Sequence, residues 1–336
     1  MKKIIKKVIA GIVLASIGAT LLVGCGSNKN DSKKEDASAN DKTKVALVLS
    51  GSISDGSWNG GAYNGIKWLE ENRDDVETTY VENITVDDSK VVIQNLIDEN
   101  NKVIIAFASE YSDVINELAS ENKDVHFIDT NIYGTDRPSN VTALNGNQGE
   151  GAFLVGVIAA SLSKTGKIGS VEGFDFGDLS DNYVNFVAGA KYVNPDIETA
   201  ISYVGSWTDT EKSKQTAIAQ IETGVDFIYS SGDLIGVGVI AACQEKNVPV
   251  IGYGEDLNEL APEQVISTVN WNTGISFGTI LDKIKDGTIK SKVYNASLAD
   301  GSITLASYHG LLDAQTEKLV EEVKQGIIDG TVETVK

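Results

Sequence analysis

The stretch KVALVLSGSISDGSWNGGAYNGIKWLEENRDDVETTYV, residues 44–81, decides the fold. Residues 44–49 form a nearly continuous apolar run, which is typical of a strand that is buried on both faces. Apolar residues then recur at helical spacing over residues 60–72, and a second β-rich run follows at 78–81. A strand, a helix and another strand in this order predict a βαβ unit with parallel strands.

The same alternation continues along the chain to residue 269. Further strands are predicted at 102–106, 125–129, 141–144, 167–171, 198–204, 226–230, 248–252 and 264–269. Helices are predicted at 89–99, 112–122, 150–163, 210–223 and 235–247. Ten strands exceed one ordinary domain, and the series divides near Asn145. The sequence therefore predicts an α/β protein with two doubly wound parallel-sheet lobes and a ligand cleft between them.

The two predicted lobes use discontinuous parts of the chain. We expect the N-terminal lobe to comprise residues 44–145 with a returning segment at about 270–295. The C-terminal lobe is expected to comprise residues 146–269 with about 296–336. The chain has 336 residues, which is enough for two cores of this size.

The amino terminus has the composition of a targeting segment. Residues 1–24 carry four lysines and no acid, followed by a short apolar run that ends at Cys25. This pattern predicts a signal peptide, and its end resembles a bacterial lipobox, so we expect Cys25 to be acylated. A plain signal peptide or a short membrane anchor is the alternative. Residues 25–43 are polar and are predicted to be a flexible tether.

Charge narrows the class of partner. The chain has 28 basic and 48 acidic residues, a net charge of -20, which argues against nucleic acid or an anionic membrane surface. The arginines, Arg73 and Arg137, do not follow a strand, so an anionic small ligand is disfavoured as well. The histidines and cysteines lack metal-site spacing, and we expect neither a metal nor a cofactor.

Ligand-binding candidates follow from the predicted sheets. In doubly wound sheets, ligands bind beyond the carboxyl ends of the strands. The candidates there are Asp55, Trp58, Asn59, Phe107, Ser109, Glu110, Asp129, Trp207, Asp233, Gly254, Asp256, Trp271 and Asn272. Any one tryptophan could merely cap a core, but three at corresponding positions favour a shared cleft. Indole rings beside carboxylates and amides suit a heterocycle or a sugar.

Two motifs suggest an enzyme. Residues 236–241 (GVGVIA) fit a dinucleotide-binding pattern, but their glycines are better explained by close packing of a helix on the sheet. Residues 274–278 (GISFG) fit a hydrolase nucleophile elbow, with Asp300 and His309 following. The helical spacing of Phe277, Ile280 and Ile284 favours an ordinary helix instead. No catalytic residue is therefore predicted.

Four motifs resemble one protein family. They are DGSWN at 55–59 with Gly65, GEGAFLVG at 149–156, TGKIGSVEG at 165–173 and IGYGED at 251–256. Together they resemble the basic membrane protein family of substrate-binding lipoproteins, over residues 44–300. The resemblance implies a type I periplasmic-binding-protein fold with three crossovers between the lobes. It also implies service to an ABC importer whose usual cargo is a purine nucleoside or a related base.

The resemblance also assigns roles to single residues. Asp55 and Asn59 match the family's first ligand loop, Trp58 matches a neighbouring aromatic residue, and Trp207 matches an aromatic residue that stacks on the purine. Gly254 stands where many members have a ribose-binding Asp.

A second departure concerns the sugar. Trp271 or Asn272 lies near the place of a lysine that helps to hold the ribose. The stretch from Ala261 to Asn272 is more similar to the adenine-type branch, so nucleoside and free base both remain open.

These observations lead to one functional expectation. The protein is expected to be a monomer, lipid-anchored to the outer face of the bacterial cell membrane, that captures a purine nucleoside or base and delivers it to an ABC transporter permease. Riboflavin or a sugar is the alternative ligand. A sensory binding module and a secreted hydrolase are the alternative classes.

Overall fold

The computed structural model of the chain describes residues 42–54, 58–130, 136–175, 178–232 and 234–335, with residues 178–180 as backbone only. Cys25, the predicted signal peptide and most of the predicted tether lie outside the described residues, as do the ligand candidates Asp55 and Asp233. Residues 40–336 form one compact unit.

The first lobe is built on a parallel sheet of six strands in the order β11-β5-β4-β3-β1-β2. Its strands are β1 Thr43–Val48, β2 Val76–Val81, β3 Val103–Ala106, β4 His126–Thr130, β5 Val141–Asn145 and β11 Val293–Asn295. The helices α1 Trp58–Asn72, α2 Val86–Asp98, α3 Ser112–Glu121 and α8 Thr273–Lys285 cover its two faces. Helices α1 and α8 pack on one face of this sheet, and α2 and α3 pack on the other.

The second lobe repeats this plan on six strands in the order β12-β10-β9-β8-β6-β7. Its strands are β6 Lys167–Glu172, β7 Glu198–Tyr203, β8 Ile228–Ser231, β9 Val250–Tyr253, β10 Val265–Trp271 and β12 Ile303–Leu305. Its helices are α4 Gly149–Leu162, α5 Asp178–Val193, α6 Thr210–Glu222, α7 Ile235–Lys246 and α9 Ala314–Ile328. Only β12, which pairs with β10, runs antiparallel among the described strands.

The predicted fold class is confirmed: two doubly wound, largely parallel sheets with helices on both faces. The chain passes from one sheet to the other after β5, after β10 and again between β11 and β12. The sequence did not predict β11 or β12, because a strand of three residues is too short for a periodic pattern. The chain thus returns to the first lobe at β11 and to the second lobe at β12.

Glycines set the closest helix contact of the second lobe. A Cβ at Gly156 on α4 would lie 2.0 Å from the carbonyl oxygen of Phe186, and one at Gly189 on α5 would lie 1.9 Å from that of Phe153. Only the missing side chains let the two helix backbones approach so closely.

The free thiol of Cys243 is buried, and burial raises its pKa to about 12, as expected of a structural cysteine.

Candidate ligand-binding cleft

A cleft of about 290 Å³ lies between the lobes. Residues of α1 line it from the first lobe, and residues of α7 and of the segment after β9 line it from the second. Its volume is at the lower end of the range for small-molecule sites, which fits a compact ligand rather than a polymer. Strand order in the first sheet reverses between β1 and β3, and the chain that follows both strands contributes to the lining.

Three aromatic rings form one side of the cleft, which we call the hinge wall: Trp58, Phe107 and Trp271. Ring centroids are 4.5 Å apart for Trp58 and Phe107, and 5.7 Å apart for each of these rings with Trp271. Trp58 starts α1, Phe107 follows β3, and Trp271 ends β10 at a crossover. Trp271 packs against the cores of both lobes, so the wall lies where the lobes join.

Hydrogen bonds fix both indoles of the hinge wall. The Nε1–H of Trp58 donates to the carbonyl oxygen of Phe107 at 3.1 Å. The Nε1–H of Trp271 donates to Oγ of Ser276 at 2.9 Å. Because both N–H groups are already satisfied, the rings can offer a ligand their faces rather than a hydrogen bond.

One face of α1 forms a second part of the lining. Gly61, Asn64, Gly65 and Trp68 recur at helical spacing and all line the cleft. A Cβ at Gly65 would lie 2.2 Å from Oγ1 of Thr273, so this glycine lets α1 approach the start of α8. The strand-end rule missed these residues because they lie inside a helix. Their i, i+3, i+4, i+7 spacing was the available signal.

A hydrogen bond crosses the mouth of the cleft. The Nδ2–H of Asn64 on α1 donates to Oε1 of Glu255, after β9, at 2.7 Å. Gly254 has a φ of 96°, a left-handed value that turns the chain here. Asp256, the residue after Glu255, lies 2.9 Å from Nε2 of His309 through its Oδ2. Glu255 therefore bonds to the first lobe, whereas Asp256 bonds within the second lobe.

Amides and aliphatic side chains complete the lining. Gln148, Asn270 and Asn272 supply the amides, while Leu234, Val237 and Leu257 supply apolar surface from the second lobe. Asn272 also caps α8, because its Oδ1 accepts from the N–H of Ile275 at 3.1 Å. Among the described lining residues, Glu255 is the only charged one. The cleft thus suits a neutral, flat ligand with several hydrogen-bonding groups.

Five of the sequence candidates line the cleft: Trp58, Phe107, Gly254, Trp271 and Asn272. Five others lie elsewhere. Buried Asn59 accepts from the N–H of Gly51, Ser109 and Glu110 are exposed in a short 3₁₀ turn, and Asp256 bonds to His309. Buried Asp129 accepts from Ser112 at 2.7 Å, and burial raises its pKa to about 6. Their roles as ligand contacts remain predictions.

The remaining described candidate, Trp207, belongs to a separate group at the carboxyl end of the second sheet. Its ring lies 4.9 Å from that of Phe174, and a Cβ on Gly173 would meet it at 2.3 Å. The hinge wall therefore contains two of the three predicted tryptophans, with Phe107 beside them. Trp207 is outside the described lining of the cleft.

Buried polar side chains lie just beneath this second group, and we call Glu172, Asn182 and Ser231 the second-lobe cluster. Glu172 ends β6 and is in register with Ser231 on β8. Its Oε1 accepts from Ser170 at 3.0 Å, while Oε2 has no hydrogen-bond partner among the described residues. Burial raises the pKa of this fully enclosed carboxyl to about 8. Asn182 donates to Ser231 at 3.3 Å.

The hydrolase-like residues do not form a triad. Ser276 is a buried residue within α8, and His309 bonds to Asp256. Asp300 accepts instead from the hydroxyl of Ser302. Within the described ranges, no group of three or more His, Cys, Asp or Glu side chains could hold a metal ion.

Close packing requires a glycine at Gly238 of the dinucleotide-like motif, whereas a Cβ at Gly236 would make only an ordinary contact. A Cβ at Gly238 would lie 2.0 Å from the carbonyl oxygen of Thr210, and one at Gly236 would lie 3.6 Å from Ser230. Packing on the sheet was expected for both. Gly236 does face the sheet, but Gly238 faces the start of α6 instead, because α6 and α7 are adjacent on that face.

Comparison with known proteins adds to this geometry. The family model described as "ABC transporter substrate-binding protein PnrA-like" matches residues 42–334. The chain belongs to this family, Bmp. It is accordingly an extracytoplasmic substrate-binding protein that binds a small molecule and works with an ABC transporter. No described helix has the length and apolar character needed to cross a membrane.

Several relatives of the Bmp family are similar over most of their length. The chain is 31% identical to basic membrane protein A of Borreliella afzelii, over 86% of this chain and 90% of that one. It is 29% identical to a purine-binding protein of Brucella abortus, over 88% and 83%. It is 28% identical to an ABC transporter nucleoside-binding protein, BmpA, of Lactococcus lactis, over 97% and 98%.

Solved structures support the same fold. An ABC transporter solute-binding protein from Conexibacter woesei superposes with a TM-score of 0.73 at 22% identity, covering 87% of this chain and 98% of that chain. At this identity the likeness establishes the fold alone.

Proposed function

We propose that this protein captures a purine nucleoside or nucleobase in the cleft between its lobes and delivers it to the permease of an ABC importer. The observation that carries the proposal is the hinge wall. Trp58 and Trp271 present ring faces, with their N–H groups already bonded, on a cleft of about 290 Å³, and fully buried Phe107 packs against both indoles. A planar heterocycle gains most from such faces.

The names of two relatives support the ligand class. One is called purine-binding and another nucleoside-binding. The amides of Gln148, Asn270 and Asn272 carry both donors and acceptors, as a purine edge requires. The remaining polar groups at the rim, Asn64 and Glu255, could hold ribose hydroxyls, so both forms of the ligand belong to the proposal. Riboflavin or a sugar is the alternative ligand.

Capture is expected to involve closure of the lobes. A ligand can stabilise the closed state only by binding it more tightly than the open state. The bond between Asn64 and Glu255 links the lobes at the mouth of the cleft, so it would contribute to that difference. In this proposal residues 44–145 with about 270–295 move against residues 146–269 with about 296–336.

The anchor completes the proposal. After removal of residues 1–24, acylated Cys25 and the polar segment 25–43 would hold a monomeric receptor at the outer face of the bacterial membrane. Globomycin treatment or mass spectrometry of the amino-terminal peptide tests this part, independently of ligand binding. An unmodified Cys25 in the exported protein would reject the lipid anchor and leave the cargo unaffected.

Isothermal titration calorimetry tests the cargo. The chain from residue 40 onward would be titrated with adenosine, guanosine, inosine, adenine, hypoxanthine, riboflavin and a hexose. We expect saturable binding of at least one purine, weakened about 100-fold in the Trp58→Ala variant. Binding of riboflavin or the hexose with no response to any purine would transfer the proposal to the alternative ligand. Covalent labelling of Ser276 by a fluorophosphonate would instead indicate a hydrolase.

A further inference from the structure

A second concave site lies in the first lobe, outside the ligand-binding cleft. A cavity of about 490 Å³ opens between the end of α8 and the start of β11. Its lining consists of Lys283, Lys290, Lys292 and Tyr294 together with the 287–289 segment. None of the cleft residues takes part in it.

The lysines of this cavity gather around one ring. The Nζ of Lys292 lies 4.6 Å from the centroid of Tyr294, and the Nζ of Lys283 lies 5.9 Å from it. An ammonium group near an aromatic face is stabilised by the ring quadrupole, so the ring can bring two like charges together. The exposed side chain of Lys290 adds a third.

These three charges are unusual in so acidic a chain. In the part of the chain that the structure describes, no salt bridge joins Lys283, Lys290 or Lys292 to a carboxylate. The described lining contains no carboxylate either, although Asp286 precedes Gly287 in the sequence. Nearby Lys285, by contrast, pairs with Asp75 at 2.8 Å. The net charge of the whole chain therefore conceals a local site of the opposite sign.

Tyr294 also supplies a hydrogen-bond donor. Its hydroxyl oxygen accepts from the N–H of Lys290 at 3.3 Å, which leaves the phenolic hydrogen available. Three ammonium groups and one hydroxyl donor around a cavity match the oxygens of a tetrahedral anion.

We call this cavity the lysine pocket, and we propose that it binds a phosphate group. The same chemistry would accept inorganic phosphate or the head group of an anionic lipid, and the experiment separates these sources. The proposal goes beyond ligand capture in the cleft and does not depend on it.

The test uses the chain from residue 40 onward, which forms a compact unit. Binding of inorganic phosphate would be measured by calorimetry. Binding to vesicles would be measured by co-sedimentation with phosphatidylglycerol in phosphatidylcholine, against phosphatidylcholine alone. The variants are Tyr294→Phe and the triple change of Lys283, Lys290 and Lys292 to Gln. Lys123→Gln is the matched control, because Lys123 is an exposed lysine that does not line the pocket.

We expect saturable binding in at least one arm, weakened at least tenfold by the triple change and several-fold by Tyr294→Phe, with Lys123→Gln unchanged. Binding in the phosphate arm identifies a free phosphate ligand, and binding to anionic vesicles alone identifies a lipid head group. A triple variant that binds like Lys123→Gln, or a wild-type chain that binds in neither arm, would overturn the proposal. Thermal unfolding of each variant verifies that the fold is retained.

Discussion

The hinge wall and the second-lobe cluster lie at the strand ends of the two sheets, but the first is aromatic and the second is polar. The hinge wall consists of three aromatic rings, and the N–H groups of its two indoles are bonded. The second-lobe cluster consists of buried polar groups, and Glu172 keeps one oxygen without a partner among the described residues. The first can lose contacts without leaving a buried charge, whereas the second is sensitive to protonation. Changes at the hinge wall should therefore appear in affinity, and changes in the cluster should appear in stability.

The largest effect is expected for Glu172→Gln, measured as stability against pH. The pKa of Glu172 is raised in the folded protein to about 8 from its usual 4.5, because burial disfavours the charged form. Between these values the unfolded chain has released the proton that the folded chain keeps, so wild-type stability falls as pH rises. A pKa shift of this size changes the free energy of unfolding by about 3 to 5 kcal/mol across this pH range. The Gln variant has no ionisable group at this position, so this pH dependence is absent.

Denaturant unfolding of both proteins at pH 5, 6, 7, 8 and 9 measures this difference. The free energy of unfolding of the wild type should be closest to that of the variant at pH 5. It should decrease relative to the variant up to pH 8, and the difference should then stay constant. Glu110→Gln, a change of an exposed carboxyl, is the control that should leave the pH profile unaltered. Parallel profiles for wild type and Glu172→Gln across the whole range would show that Glu172 is not held neutral by burial.

A smaller effect is expected at the hinge wall. Trp58→Ala removes a ring that contacts both Phe107 and Trp271, and we expect affinity for the purine ligand to fall about 100-fold. Trp207→Ala removes a ring that pairs with Phe174 outside the described lining, so a loss of about tenfold or less is expected. Calorimetry on both variants compares the two regions directly.

Trp58→Phe is the conservative control, because it keeps an aromatic face and loses the N–H bond to Phe107 together with part of the ring area. Its affinity should stay within about fivefold of the wild type. If Trp207→Ala weakened binding more than Trp58→Ala, the ligand would depend chiefly on the second lobe, and the order of the two regions would be reversed.

The smallest effect is expected at the mouth of the cleft. Asn64→Ala removes the donor of the bond to Glu255, a net contribution of about 1 kcal/mol. We expect affinity to fall about fivefold, mainly through faster ligand release, which stopped-flow fluorescence can measure. Gln94→Ala, which removes a bond to Asp98 on the surface of α2, should change neither rate. An unchanged release rate in Asn64→Ala would show that this bond does not retain the ligand.

The sequence predicted the fold well because long apolar strands and helices repeat with clear periods. It predicted the hinge wall in part: Trp58, Phe107 and Trp271 follow or end strands, where the strand-end rule looks. It missed Asn64 and Trp68 because they lie about two and three turns inside α1. It also missed the second-lobe cluster, since nothing local distinguishes Glu172, at the end of a strand, from an exposed glutamate. Burial is a property of the packed helices above it.

The lysine pocket illustrates the same limit for charge. The net charge of the whole chain disfavoured an anionic partner, but a net charge averages over the whole surface. Lys283 and Lys292 are nine residues apart in the chain, and only the return of the chain from α8 to β11 places both near Tyr294.

A crystal structure of the chain with its tightest-binding purine tests the central claim most directly. We expect the purine to lie in the cleft between the lobes, with its ring face against Trp58 or Trp271 and its edge bonded to cleft amides. Density for the purine at any other place, with the hinge wall facing only solvent, would contradict it.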